Sequence, residues 1–343
     1  MNKSDHVYII AEAGVNHNGD LLKAVELVEA AKQAGADAVK FQSFKADKLV
    51  SKTAKKAKYQ SENIGDDDYN QYNMLKSLEL SEEDHFRLIQ ECDKRGIQFF
   101  STAFDVDGID FLDRLGMPFF KSPSGEITNY PYLKRLAEKG KPVILSTGMA
   151  DMQEVKNALE VLLKYGLHID DITVLHCNTE YPTPMKDVNL KAMNTMGVEL
   201  GVKVGYSDHT LGIEVPIAAV AMGAKVIEKH FTLDRDLPGP DHRASLEPDE
   251  LKEMVMTIRN IEQAISGSGK KEPSPSELRN KEVARKSIHT SRAIDVGEII
   301  KEEDIISLRP GNGISPMEWD NVIGKKTDRI YSAIELLEWS SLK

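Results

Sequence analysis

Two lysines and two histidines carry most of the chemistry this sequence offers. Lys40 and Lys121 each close a short apolar run, and Lys40 shares one strand face with Gln42, two residues on. Thr102, Ser124, Ser146 and Ser207 add hydroxyls at the ends of further runs. Ammonium groups beside hydroxyls suit phosphate or carboxylate oxygens, so this set points to an anionic, phosphorylated ligand. His209 and His230 end the last two runs. Imidazoles at neighbouring tips can converge on Mn, Fe, Co or Zn, and two protein ligands leave open positions for substrate. Glu12, Asn178 and Glu228 complete a set in which all eight runs end on a polar residue. Asp208 and Asp241 are placed to orient the imidazole rings or to complete the pocket. His17, in Asn16-His-Asn-Gly, and His242 read instead as turn residues, and Cys177 as a small buried hydrophobe with no base beside it.

Positioning so many tips requires a repeating scaffold. The runs at 7–11, 38–42, 97–102, 118–121, 142–147, 172–176, 203–207 and 225–230 are rich in β-branched and aromatic residues, as buried strands are. Amphipathic stretches such as 21–32 separate them. Eight strand–helix units are the arithmetic of an α/β fold, the (β/α)8 or TIM barrel, whose chemistry gathers at the C-terminal strand ends. A doubly wound sheet is the alternative, but no G-x-G-x-x-G follows the first run. One long polar insertion, residues 44–80, follows strand two and is expected to act as a lid.

The barrel is expected to occupy residues 1–265. At 266–280 the composition turns to a Gly/Ser/Pro/Lys linker, and 281–343 reads as a small β-rich domain. At ~60 residues such a domain has a marginal core, so docking against a barrel is expected. With 55 acidic and 44 basic residues the 343-residue chain carries a net charge of −11, which argues against a general nucleic-acid binder. The N-terminus lacks the pattern of a signal peptide and no uncharged run approaches ~18 residues. Two cysteines, Cys92 and Cys177, form neither a disulfide framework nor a Cys-type zinc site, and the chain reads as cytoplasmic. On the residues alone, a metal-dependent isomerase or aldolase, or a binding module working through the tail, stays open.

The segments Ile10-Ala-Glu-Ala-Gly-Val-Asn-His-Asn-Gly, Val39-Lys-Phe-Gln-Ser-Phe-Lys-Ala, His176-Cys-Asn-Thr-Glu-Tyr-Pro-Thr-Pro, Gly205-Tyr-Ser-Asp-His-Thr and Glu228-Lys-His-Phe-Thr resemble the sialic acid synthase family. So do Pro123-Ser-Gly-Glu, Ile144-Leu-Ser-Thr-Gly-Met and Gly239-Pro-Asp-His, while Leu308-Arg-Pro-Gly-Asn-Gly-Ile resembles its antifreeze-like (SAF) tail domain. The resemblance spans nearly the whole chain. It implies condensation of phosphoenolpyruvate with an N-acetylated amino sugar, giving a nine-carbon 2-keto acid and phosphate. The leading expectation is N-acetylneuraminate from N-acetylmannosamine; the alternative is N,N'-diacetyllegionaminate from 2,4-diacetamido-2,4,6-trideoxymannose.

Carried over by position, the resemblance implies that Lys40, Thr102, Lys121, Ser124, Ser146 and Ser207 hold phosphoenolpyruvate. His209 and His230 would ligate Mn²⁺, with Mg²⁺ or Co²⁺ as substitutes, and Glu12, Gln42, Tyr181 and Asp241 would meet the sugar. Glu12 or Glu126 would move protons. Arg309 would reach into the partner's barrel of a domain-swapped homodimer. Three departures from the family pattern stand out: Ala103 after Thr102, Ser122 after Lys121, and Asp66 where some members place a sugar-contacting asparagine.

Overall fold

The computed structural model describes residues 6–64 and 70–343. They fall into two compact units, Met1–Gly267 and Ser268–Lys343. In the first, all eight runs form parallel strands: β1 Tyr8–Gly14, β2 Ala38–Ser43, β3 Gln98–Ala103, β4 Phe120–Ser122, β5 Val143–Ser146, β6 Ile172–Cys177, β7 Lys203–Asp208 and β8 Val226–His230. They hydrogen-bond in the order β3-β2-β1-β8-β7-β6-β5-β4. β3 and β4 also lie side by side, so the sheet closes into the expected (β/α)8 barrel.

Strand alternation decides what fills the barrel. Ile10, Ala38, Phe100, Phe119, Ile144, Leu175 and Val226 form one apolar layer inside it. Phe100 and Phe119 meet there with ring centroids 4.4 Å apart. Two residues further along each chain stand Glu12, Lys40, Thr102, Lys121, Ser146, Cys177 and Glu228, all buried. A period of two sends both sets to the same face, so the interior changes from apolar plug to polar pocket in one step. The outward residues, Ile9, Val39, Phe41, Val174 and Ile227 among them, join the larger core against the helices. Helix α1, Leu21–Ala34, shows how those helices are bounded: the Asp20 carboxylate accepts from the Leu22 N–H, and Gly35 ends the helix at φ +85°.

The strand-two insertion is built of short helices, α2 Ala46–Leu49, α3 Lys58–Ile64 and α4 Gln71–Ser77. Phe44, Met74 and Leu78 bury themselves against Val15 at the barrel rim. An insertion polar in composition therefore presents an apolar inner side, because residues 74, 75 and 78 share one helical face. Asp66 lies outside the described residues.

The second unit pairs β9, Ser287–Thr290, with β10, Ile305–Leu308, antiparallel. Its core is Ile288, Ile294, Ile300, Ile305, Ile314, Val322, Tyr331 and Leu337. The stretch expected as linker is only partly so, because Pro275–Ala284 is helical. Ser274 and Glu277 form a capping box around Pro275 at the first helical turn, a start signal that the Ser/Pro-rich composition conceals. No described helix is long and apolar enough to cross a membrane.

Gly205 shows how little room the barrel interior leaves. A Cβ on it would lie 2.4 Å from the Val226 carbonyl oxygen and 2.7 Å from Leu175 Cδ2. Gly205→Ala is expected to lower stability by about 1–3 kcal/mol through overpacking. Chemical denaturation checks this, and an unchanged midpoint would contradict the packing described.

Candidate functional site

Glu228 on β8 is the centre of the polar layer. Its Oε1 lies 3.0 Å from Lys121 Nζ and accepts from Ser207 Oγ at 3.0 Å. Its Oε2 lies 3.7 Å from Lys40 Nζ, and Lys40 in turn pairs with Glu12 at 2.6 Å and donates to Thr102 Oγ1 at 3.2 Å. Gln42 donates to the other Glu12 oxygen at 3.2 Å. Six strands, β1 to β4, β7 and β8, are thus tied together by one buried network. Burial alone would raise the Glu228 pKa, but Lys121 and Lys40 overcome it and hold the carboxyl down to about 2. Glu12 fares differently: burial, only partly offset by Lys40 and reinforced by Glu228, pushes it up to about 7. Burial likewise raises Asp241 to about 6. Near neutrality the pocket thus holds two ammonium groups against one firmly ionised carboxylate, and an anion can enter.

Across the mouth stand the two imidazoles, with ring centroids 5.4 Å apart. Burial lowers the His209 pKa to about 4 and holds that of His230 well below the usual imidazole value, with His209 contributing. Both are therefore neutral at physiological pH. His209 Nδ1 is hydrogen-bonded to the Asn178 carbonyl. A carbonyl can only accept, so Nδ1 carries the proton and Nε2 keeps its lone pair. His230 Nδ1 is buried with no hydrogen-bond partner and lies 3.8 Å from Asp241 Oδ2. Tyr181 stacks on His209 at 4.1 Å and meets His230 edge-on at 5.6 Å. Two neutral imidazoles, one with a free nitrogen and one with an orphaned nitrogen, suit a divalent transition metal. No cluster of three or more His, Cys, Asp or Glu with metal-binding geometry occurs among the described residues.

All of these groups line one cavity of about 510 Å³, together with Ser124, Ser146 and Glu126. Ser124 Oγ accepts from the Gly148 N–H at 3.0 Å, whereas Ser146 Oγ is buried without a partner. Glu126 accepts from Asn129 at 2.5 Å, and partial burial raises its pKa. Every residue that the resemblance implied within the first unit lines this cavity, and Arg309 is exposed in the second unit. Asp208 does not orient a ring as expected: it pairs with Lys229, because alternation turns both away from the pocket. His17 and His242 are buried outside the cavity, the latter bonded to Thr232 and Asn18. Glu228 was legible as a strand tip, but its central place was not. The signal was available, since a lone carboxylate two residues before a tip histidine shares that histidine's face.

A closed parallel barrel with a buried, charge-paired pocket at its C-terminal mouth is the framework of an anion-handling enzyme. Residues 27–271 match the NeuB family and 285–343 the SAF domain, and the chain belongs to the NeuB family of sialic-acid-type synthases. It is 53% identical over 338 residues to the N,N'-diacetyllegionaminic acid synthase of Legionella pneumophila, covering 98% of this chain and 94% of that protein. It is 51% identical to the synthase of the same name from Campylobacter jejuni, covering 96% and 98%. The crystal structure of N-acetylneuraminic acid synthetase from Leptospira borgpetersenii in complex with citrate superposes with a TM-score of 0.70 at 36% identity, over 80% of this chain and 90% of that one. The enzyme class expected from the sequence, a phosphoenolpyruvate-dependent carbon–carbon bond-forming transferase, stands.

Glu228→Gln leaves Lys121 buried without its carboxylate partner. It is expected to cost about 3 kcal/mol of stability, by analogy with broken buried pairs. Inorganic phosphate should restore part of the loss in thermal melting, and a melting point unaffected by the substitution would deny the network its structural weight.

Proposed function

We propose that this chain condenses phosphoenolpyruvate with 2,4-diacetamido-2,4,6-trideoxymannose to give N,N'-diacetyllegionaminate and phosphate, so that the alternative sequence expectation replaces N-acetylneuraminate synthesis. The identity to two synthases of that name supports it. So does the cavity itself, and this observation carries the reading. Its floor is charged, but the wall from the insertion is mostly apolar: Phe44, Leu49, Met74, Leu75 and Leu78, joined by Phe104 from beyond β3, with Gln60 and Gln71 as its polar members. A 6-deoxy sugar suits the apolar part of that wall with its methyl group, whereas the hydroxymethyl of N-acetylmannosamine would be desolvated against it. Lys40 and Lys121 are the cations among the lining residues, so a sugar 6-phosphate would find no further counter-charge.

In this reading Lys40, Lys121, Thr102, Ser124, Ser146 and Ser207 bind phosphoenolpyruvate, the unpartnered Ser146 hydroxyl donating to one of its oxygens. Gln42, Tyr181 and Asp241 orient the sugar. His209 and His230 hold Mn²⁺, or Mg²⁺ or Co²⁺ in its place. A divalent ion bound there supplies Lewis-acid polarisation of the sugar aldehyde. C3 of phosphoenolpyruvate attacks that carbon, water captures the cation left at C2, and the intermediate expels phosphate by C–O cleavage. Glu12, rather than Glu126, moves the proton of that water. Its pKa near 7 matches the task, and it sits on the floor beside Lys40, whereas Glu126 is engaged by Asn129. The lysines neutralise the departing phosphate, the largest electrostatic demand of the sequence of steps. Arg309 acts on the sugar from a second copy in a domain-swapped homodimer. Two free, buried cysteines suit the cytoplasm as the site of action.

Phosphate release from phosphoenolpyruvate with Mn²⁺ should depend on the diacetamido sugar and fall at least tenfold with N-acetylmannosamine. The reverse preference would restore N-acetylneuraminate synthesis, and no release with either would refute the proposal. Arg309→Ala should raise KM for the sugar by about 10–100-fold, the worth of a charged hydrogen bond, with KM for phosphoenolpyruvate within twofold. Steady-state kinetics with each substrate varied in turn would test it, and equal effects on both would remove Arg309 from the sugar.

A further inference from the structure

Each tip histidine is preceded by a charged residue that the pocket does not use. Asp208, before His209, and Lys229, before His230, are register partners on β7 and β8, and both side chains are wholly buried. Their neighbours Ser207 and Glu228 line the cavity, so alternation turns Asp208 and Lys229 outward into the layer between strands and helices. There Lys229 Nζ donates to Asp208 Oδ2 and to the Thr210 carbonyl oxygen. Asp208 Oδ1 accepts the Thr210 N–H at 3.1 Å, and the Thr210 hydroxyl lies 2.9 Å from both carboxylate oxygens. The residues on both sides of His209 are therefore tied to the residue before His230.

An ion pair in an otherwise apolar layer contributes little net stability, because desolvating both charges offsets their attraction. Well-packed aliphatic side chains would hold the two strands together as firmly. What they could not do is fix one geometry, since dispersion has no direction, whereas this network of charge-assisted hydrogen bonds is directional at every link. The network closes within one residue of both imidazoles. His209 is fixed in addition by its ring contact with the Asn178 carbonyl and by its own carbonyl, which accepts the Thr183 N–H at 2.8 Å. On the β7 side the ladder pairing of β8 residues 227–229 stops at Lys229. His230 is held from its other side, paired with Glu12 of β1 and with its carbonyl accepting the Leu246 N–H at 2.9 Å, so toward His209 the Asp208–Lys229 link is the last tie before it.

We propose that Asp208 and Lys229 are a positioning pair: they set the separation of His209 and His230 from the far side of the sheet, and with it the affinity of the pocket for a divalent metal. The inference rests on the reading of the two histidines as metal ligands. The test titrates the full-length protein with Mn²⁺ alone, following free ion by electron paramagnetic resonance. The double variant Asp208→Leu/Lys229→Met replaces the pair with aliphatic groups and leaves no charge unpaired. It should melt within a few degrees of the wild type yet bind Mn²⁺ about 10–100-fold more weakly, the usual effect of losing an outer positioning contact. Thr210→Val, which removes only the hydroxyl links to Asp208, should weaken binding severalfold, and it serves alone if the double variant does not fold. Wild-type affinity in either folded variant overturns the positioning role while leaving the metal site intact. A wild type that binds no Mn²⁺, or binding that survives His209→Ala, overturns the metal reading and the positioning pair with it.

Discussion

The bridge of Glu228 between Lys121 and Lys40 is the interaction on which the pocket depends. A barrel interior is normally filled with branched aliphatic side chains, and an isolated ammonium there would lose its proton or its place. Here two lysines share one carboxylate, itself held ionised by them, and Ser207 takes part of the remaining hydrogen-bonding capacity. The second carboxylate, Glu12, shares Lys40 but not Lys121 as a close partner, and burial leaves it titrating near 7. Two glutamates of the same type in one network thus acquire different protonation behaviour from the number of cations each one touches. That difference makes room for an anion, and in the proposed reaction it leaves a group beside it suited to carrying a proton.

The strands divide their labour by face. Inward residues carry the chemistry, beginning two positions beyond the apolar plug, while outward residues pack against helices. Asp208 and Lys229 are an exception on the outer face, and they adjoin the two histidines. The neutral state of those histidines follows from the same burial that makes the charged pairs necessary. Burial penalises imidazolium and also strengthens a lysine–glutamate contact.

Selectivity lies on a different part of the structure. The insertion residues that line the cavity are uncharged and mostly apolar, with Gln60 and Gln71 among them, and the proposed preference for a deoxy, doubly acetylated sugar rests on that face. Composition had marked this segment as polar because most of its residues face water. The inner side is a minority of its length, and only the fold of α4 onto Val15 and Phe44 reveals it.

The eight strands and their polar tips were legible in the sequence, because period-two alternation and strand–helix succession are local properties, whereas Glu126 and Tyr181 entered only through the family resemblance. The resemblance to sialic acid synthases rested on the same tips. The helix at Pro275–Ala284 was legible in principle, through Ser274 and Glu277, but composition obscured it. Only tertiary structure could show that Glu228 is the hub, that Asp208 serves Lys229 rather than an imidazole, and that His209 is neutral with its proton on Nδ1. These depend on distances between strands 20 to 190 residues apart in the chain, and on how much water their packing excludes. Residue order sets which groups are present and which face they take; their charge and their partners are decided when the barrel closes.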